Sequence, residues 1–293
     1  MLSGQEKSIL GFSHIILILA SAACVIPFVI LIMASVTSED TLIRDGYQLF
    51  PKVFSLDAYK YLYHQGGSII RAYGITVFTT VAGTSISLLI TLLIAYPISM
   101  RYLPGKGLVM FLLVFSMLFN GGLVPTYIMY TQYFHLKNTI WSYIIPGKLL
   151  GAFNVLLIRS YFISSLPGEM IEAGRIDGAG EYAILFRIVV PISTPILATI
   201  GLLNGLGFWN DWYNGLIYIT NDSLYSLQVL LNAILTNVQY LANNEAGQRM
   251  NIQLPSASIR MAIAAIAVVP ILAIYPFFQK YFVKSITMGA IKG

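Results

Sequence analysis

Carboxylates are scarce in this chain, and the segment Glu169–Pro191, EMIEAGRIDGAGEYAILFRIVVP, holds four of its twelve: Glu169, Glu172, Asp177 and Glu181. They stand among Gly174, Gly178 and Gly180, and an apolar run follows at once. Carboxylates beside small residues suit docking, because a close backbone lets a partner's donors reach the charges. They do not suit catalysis here. His14, His64 and His135 are scattered at or near apolar edges, with no spacing that pairs them. Cys24 is the single cysteine, so an internal disulfide and a Cys-based metal site are excluded. No phosphate-cradling loop occurs: SYIIPGK has Ser142 where the first glycine of G-x-x-x-x-G-K-[ST] belongs. G-x-S-x-G and H-E-x-x-H are also missing. The residues therefore point away from an enzyme, and to a chain that binds no cofactor or metal of its own.

Three further places carry candidate chemistry. Lys148 lies within an otherwise apolar run, nine residues from Thr139, a depth of ~13 Å if the run is helical. An ammonium at bilayer depth costs at least ~2.5 kcal/mol and normally faces a cavity or a partner. A fixed positive charge on a water-filled path would favour anionic cargo; a structural pair with a carboxylate of another subunit is the rival reading. Asn210 and Asp211, flanked by Trp209 and Trp212, fit an aromatic belt with a polar edge or a gate that meets hydroxyl-rich ligands. Asn120 precedes Gly121, Gly122 and Pro125, which interrupt an apolar run, and broken helices in membranes usually line cavities.

The elements that must hold these groups are membrane helices. The chain is 57% hydrophobic and 10% charged, with a mean hydropathy of +0.76; a soluble domain carries roughly 25% charged residues. About 20 apolar residues cross the hydrocarbon core, and such runs lie at Ile15–Val36, Thr76–Met100, Leu108–Tyr130, Thr139–Phe162, Ile188–Trp209 and Met261–Phe278. The expectation is an all-α membrane protein of six spans, a single domain over residues 1–293, with the polar island between the fourth and fifth spans. The first run is longer than the h-region of a signal peptide and passes through SAAC, so it reads as a retained helix.

Lys and Arg in short connections set orientation. Lys7, Arg101, Lys106, Arg159, Arg175, Arg187, Lys280, Lys284 and Lys292 fall on one side in compact segments. Arg44, Lys52, Arg71 and Arg249 are diluted through two long loops, at about 37–71 and 211–260, on the other side, which also holds Lys137. The first set is expected to face the cytoplasm, with both termini and the polar island. The surplus of positive charge is small and spread out, so nucleic-acid binding is excluded.

Within the island, Pro167 can open a helix, and Glu169 and Glu172 suit the positive end of its dipole. Gly178 and Gly180 supply a turn. A second amphipathic helix follows, with Tyr182, Phe186 and Val189 at helical spacing. From these residues alone, a docking helix and a solvated loop stand level.

The spacing of EAG at Glu172–Gly174, then Gly178, then IVVP at Ile188–Pro191 resembles the EAA-x3-G-x9-I-x-L-P loop of ABC importer permeases. Gly174 replaces the second alanine, and Val190 the leucine. Four collinear stretches resemble the sugar-importer branch, in its smaller six-helix subunit of the maltose type. They are AYPISMRYLPGKG (Ala95–Gly107), VPTYIMYTQYFHLKNTIWSYIIP (Val124–Pro146), GFWNDWYNGLIYI (Gly207–Ile219) and FFQKYFVKSITMGAIKG (Phe277–Gly293). FNGGLVPTY (Phe119–Tyr127) is similar to a subgroup linked with complex oligosaccharides or polysaccharides.

The resemblance implies one half of an import channel in the bacterial cytoplasmic membrane. Its implied partners are a second permease chain, two ATPase subunits that carry ATP and Mg2+, an extracytoplasmic sugar-binding protein and membrane lipid. Glu172, Ala173, Gly174, Asp177 and Gly178 would then form the helix that couples to the ATPase. Lys148, Asn120, Trp209, Asn210 and Asp211 would be candidates for the pathway, with an oligosaccharide or polysaccharide, including a uronate-containing one such as alginate, as cargo. The competing class is an independent secondary transporter, which needs inverted repeats and intramembrane carboxylates for coupling ions. Neither feature is evident in the sequence.

Overall fold

A computed structural model describes residues 4–64, 66–100, 102–243 and 256–290. Arg101, Arg249 and Lys292, used above for orientation, lie outside the described residues. The chain forms two compact units: one up to Gly67 together with Leu231–Pro270, the other Ser68–Leu230 together with the chain from Ile271.

In the first unit, helix α1 (Gly4–Ser35) is the expected uninterrupted first span. Its apolar portion, Gly11–Ser35, is left largely uncovered by the chain, with no residue buried before Ala34 and Ser35. A side chain that finds no core in its own chain stays with lipid or another subunit. The short helices α2 (Glu39–Asp45) and α3 (Asp57–His64) follow, joined by a bridge between Thr37 and Phe54. The Ser35 and Tyr59 hydroxyls meet at 2.8 Å. Both carboxylate oxygens of Glu39 accept backbone N–H groups of Ala257 and Ser258, at 2.8 Å each. These are open donors at the start of the last long helix, Ser256–Ala290, and an anion satisfies them best.

In the second unit, α4 (Gly66–Ser99) is a continuous span, ten residues longer at its start than the sequence predicts. The third span is bent as expected. Helix α5 (Lys106–Leu118) and the segment Leu123–Tyr133, which begins with α6 (Leu123–Ile128), make an angle of 115°. The break falls at Asn120–Gly122, and the Asn120 Oδ1 accepts the Gly122 N–H at 2.8 Å.

The fourth span corrects the expectation of a helix over Thr139–Phe162. Helix α7 is only Trp141–Ile144, residues 145–151 form turns, and α8 runs Ala152–Ser165. Pro146 donates no N–H, and Gly147 and Gly151 lower the cost of non-helical backbone. Lys148 therefore sits on a turn, so the depth computed from helical rise does not apply.

Beyond α8 come α9 (Gly168–Ile176), α10 (Glu181–Ile184), a wide π turn at Leu185–Val189, α11 (Val190–Ile192) and α12 (Thr194–Trp209). The fifth span, expected from Ile188, starts at Thr194: residues 181–192 form a separate arm, bent by 84° from α12. Pro191 offers no N–H to the Arg187 carbonyl and its ring crowds it, which widens the turn before it. Pro195 does the same to the Pro191 carbonyl, and the Thr194 hydroxyl satisfies that oxygen at 2.8 Å. Helices α13 (Tyr213–Tyr218), α14 (Leu227–Asn243) and α15 (Ser256–Ala290) complete the chain.

Among the described residues, three helices are long and apolar enough to cross a membrane, or five if each bent pair counts as one span. The core of the second unit joins Leu92, Ala95, Tyr96 and Ile98 of α4 to Val155, Ile158 and Phe162 of α8 and to Ile184, Leu185 and Val189 of the arm. Close helix packing is made by small residues, as is usual in membranes. A Cβ on Gly201 would lie 3.2 Å from Leu88, and one on Gly205 would lie 3.6 Å from the Thr84 hydroxyl.

Candidate functional site

Helix α9 carries the polar island, capped by Pro167 and closed at Asp177. Gly178 has φ +80°, in the left-handed region, and the Ala179 N–H reaches back to the Gly174 carbonyl at 2.9 Å. A side chain there would be strained, so glycine is the residue that ends the helix. Gly180, at φ −69°, needs no such freedom and caps α10 instead.

The helix has two faces. Glu169, Met170, Glu172, Ala173, Ile176 and Asp177 are exposed, with Ile176 at 86%. Glu172 makes no hydrogen bond or ion pair with the described residues. Gly174 points the other way and is buried: a Cβ would come 3.1 Å from Ile188 and 3.4 Å from Ile184. Expected as part of the docking face, it is the contact that seats the helix on its own chain. The arm also departs from its expected phase. Tyr182 and Phe186 are exposed, while Ile184, Leu185 and Val189 are buried, because the π turn shifts the inward face to a spacing of five.

One group was missed in the sequence. Arg175 Nε donates to Glu181 Oε1 at 2.9 Å, and the Tyr96 hydroxyl donates to Glu181 Oε2 at 2.7 Å. This clamp ties α9 to α10 and to the end of α4. The i, i+6 spacing of Arg175 and Glu181 is no helical signal, and Tyr96 lies 85 residues away. Hydrogen bonding from Arg175 holds the Glu181 carboxyl below its ordinary 4.5, with help from Tyr96 and against partial burial.

A lowered carboxyl stabilises the fold above its unfolded value, and that contribution disappears as pH falls through the folded value. The clamp is therefore complete at neutral pH, and its contribution is lost as pH falls below the ordinary carboxyl value towards the lowered one. The pair is half exposed, so Glu181→Gln is expected to cost about 1 kcal/mol or less. The variant should also lose its share of acid sensitivity. Melting curves of the detergent-solubilised chain between pH 3 and 7 test this; identical acid profiles for the two proteins would refute the clamp.

The second candidate group is on and near α12. Lys148 Nζ donates to the Gly207 carbonyl at 2.7 Å, lies 5.3 Å from the centre of the Phe208 ring, and stands 3.0 Å from Asp211 Oδ2. That carboxylate oxygen receives no aligned hydrogen bond, so the contact with Lys148 is Coulombic. Asp211 Oδ1 accepts the Asn214 N–H at 3.1 Å, and its side chain is 4% exposed. The rival reading, a pair with a carboxylate of another subunit, is corrected: the carboxylate comes from the same chain.

The remaining candidates separate from this pair. Trp209 is 6% exposed and packs tilted on Tyr73, ring centres 6.2 Å apart. It is a buried residue, while Trp212 is half-exposed. The Asn210 amide donates to the Leu206 carbonyl at 3.0 Å, and the side-chain oxygen of exposed Asn120 is engaged in its local turn.

Joined to the Lys148 region is a polar chain that sequence reading passed over. Asn154 Nδ2 donates to Asn204 Oδ1 at 2.9 Å, and Asn204 Nδ2 donates to Ser87 Oγ at 3.1 Å. These residues come from α8, α12 and α4. Single amides in apolar runs were the only available signal. Asn138 has a scaffolding role: at φ +56° its side-chain oxygen accepts the N–H groups of Thr220 and Asn221 at 2.6 and 3.1 Å.

Apolar helices with broken segments, an exposed carboxylate-bearing helix and a partly buried polar chain across three helices fit a membrane transport subunit. Residues 73–288 match the family of binding-protein-dependent transport system inner membrane components, and the chain belongs to that family. It is 37% identical to Protein LplC of Bacillus subtilis (strain 168), over 93% of this chain and 90% of that one. It is 34% identical to the polygalacturonan/rhamnogalacturonan transport system permease protein YtcP of the same organism, over 94% and 96%. It also superposes, with a TM-score of 0.80 and 26% identity over 96% of this chain and 99% of the other, on the crystal structure of a bacterial ABC transporter involved in the import of the acidic polysaccharide alginate.

Proposed function

We propose that this chain is one membrane half of an ATP-driven importer of oligosaccharides or polysaccharides, uronate-containing ones included. It would pair with a second permease chain, take cargo from an extracytoplasmic binding protein, and stand on two ATPase subunits that hold ATP and Mg2+. The chain would cross the membrane six times as a single permease domain, the third to fifth spans bent or broken, with both termini on the cytoplasmic side.

The observation that carries this reading is the division of labour in α9. Its outer face offers unpaired Glu172 beside exposed Ala173 and Ile176, while its inner face is locked at Gly174 and through Arg175 to Glu181. A helix free on one side and clamped on the other transmits displacement as a rigid body. The cargo class is supported by the similar proteins, one a polygalacturonan/rhamnogalacturonan transport permease and one from a transporter of alginate.

Co-expression with a second permease, an ATPase and a binding protein, followed by reconstitution into proteoliposomes, tests the proposal. Saccharide uptake should depend on ATP and on the binding protein. The purified chain alone is expected to hydrolyse no ATP, since it has no phosphate-cradling loop. Hydrolysis by the single chain, or uptake driven by an ion gradient without ATP, would overturn it.

A further inference from the structure

A cleft of about 210 Å³ opens beside the ion pair, lined by Gly147, Lys148, Gly151, Asn154, Asn204 and Gly207. Leu203 and Phe208 complete its walls, so polar groups are set in a partly apolar lining. The Lys148 ammonium has three N–H bonds; one goes to the Gly207 carbonyl, and the Asp211 carboxylate is in contact without alignment. Asn154 donates to Asn204, and its own Oδ1 accepts no bond from the described residues. A Cβ on Gly147 or on Gly207 would meet nothing within 4 Å, so these glycines leave space where a side chain would intrude. The cleft thus presents donors and an acceptor that the chain itself does not use.

Charge decides what fits. With Asp211 3.0 Å from the ammonium, the pair is neutral to a ligand a few ångströms away, and a second carboxylate would be repelled by the first. We infer that this cleft is a saccharide subsite on the translocation path that reads hydroxyl groups through Lys148, Asn154 and Asn204, with Asp211 cancelling the ammonium so that passing uronates are not held. A path must bind its cargo well enough to admit it and weakly enough to release it. A bare ammonium in a cleft walled by helices would hold a carboxylate more tightly than one in bulk water. The inference rests on the import reading above and departs from the simpler expectation that Lys148 selects anionic cargo.

The test uses the assembled complex in proteoliposomes, with a neutral oligosaccharide and a uronate oligosaccharide of equal length. Asn154→Ala should lower uptake of both, by roughly tenfold, through the loss of one hydrogen-bonding group. Asp211→Asn keeps an oxygen for the Asn214 N–H and unmasks the ammonium. It should lower KM and maximal rate together for the uronate oligomer, shifting the uronate-to-neutral rate ratio by roughly tenfold. Adding Lys148→Gln to Asp211→Asn should return that ratio towards its original value.

Unchanged uptake of both sugars in Asn154→Ala would overturn the subsite. An unchanged ratio in Asp211→Asn would overturn the role given to the pair and leave it a structural latch. Should Asp211→Asn fail to assemble, Asn154→Ala, which touches no ion pair, still decides the subsite. Wild-type complex that imports neither sugar refutes the import reading itself, a result distinct from altered variants on an active background.

Discussion

Glu172→Lys is expected to abolish both transport and co-purification of the ATPase, while the chain stays in the membrane at ordinary abundance. Glu172 is exposed and bonds nothing among the described residues, so its reversal should cost the fold almost nothing. Surface changes of that kind fall within about 0.5 kcal/mol. At a docked interface the same change places like charges together, which costs several kcal/mol, enough to reduce binding by about 100-fold or more. The contrast between an intact subunit and a lost complex is the diagnostic feature. ATPase retained on affinity beads carrying the Glu172→Lys variant, with uptake at its original rate, would remove α9 from the docking role. Gly178→Trp should produce the same loss by another route, since a bulky side chain at φ +80° forces the end of the helix to re-form.

Gly215→Leu is expected to destabilise the chain more than any other single change considered. A Cβ at Gly215 would lie 2.2 Å from Val229 and 2.9 Å from two side-chain atoms of Tyr143. Tyr143 is 1% exposed, and its hydroxyl both donates to the Leu224 carbonyl at 3.1 Å and accepts the Ser226 N–H at 3.0 Å. The new side chain must therefore expel Tyr143 and strand buried polar groups. Overpacking typically costs about 1–3 kcal/mol, and each unsatisfied buried group about 1–3 more. Against a total stability of about 5–15 kcal/mol, that loss should lower membrane abundance several-fold and open the segment 138–230 to protease. A melting temperature within a degree or two of the parent would show that the packing around Tyr143 yields more easily than its contacts imply.

The sequence by itself determined the class of protein. Apolar runs too long for a soluble core require membrane helices, because only satisfied backbone survives in lipid. The spacing from Glu172 to Pro191 was equally legible, since a short polar helix is specified by its own cap, its own carboxylates and its own closing glycine. Local rules also placed the break at Asn120–Gly122. The fourth and fifth spans were misjudged for one reason: hydropathy counts apolar residues and does not see backbone direction. Pro146 with Gly147, and Pro191 with Pro195, redirect the chain while the runs around them stay free of charge and largely apolar, apart from Lys148 and Arg159.

Tertiary structure alone decided which residues meet. Lys148 and Asp211 were both singled out from sequence, yet their pairing depends on a turn and a helix end 63 positions apart in sequence, brought to 3.0 Å. Gly174 reads as a docking residue until its neighbours are known; burial against Ile184 and Ile188 turns it inward. The Tyr96–Glu181–Arg175 clamp and the Ser87–Asn204–Asn154 chain leave no trace in periodicity, because each joins helices whose order in space no local pattern specifies. Periodicity reports which face of a helix is apolar. What lies opposite that face, and so whether a charge is free, paired or cancelled, is settled only by packing.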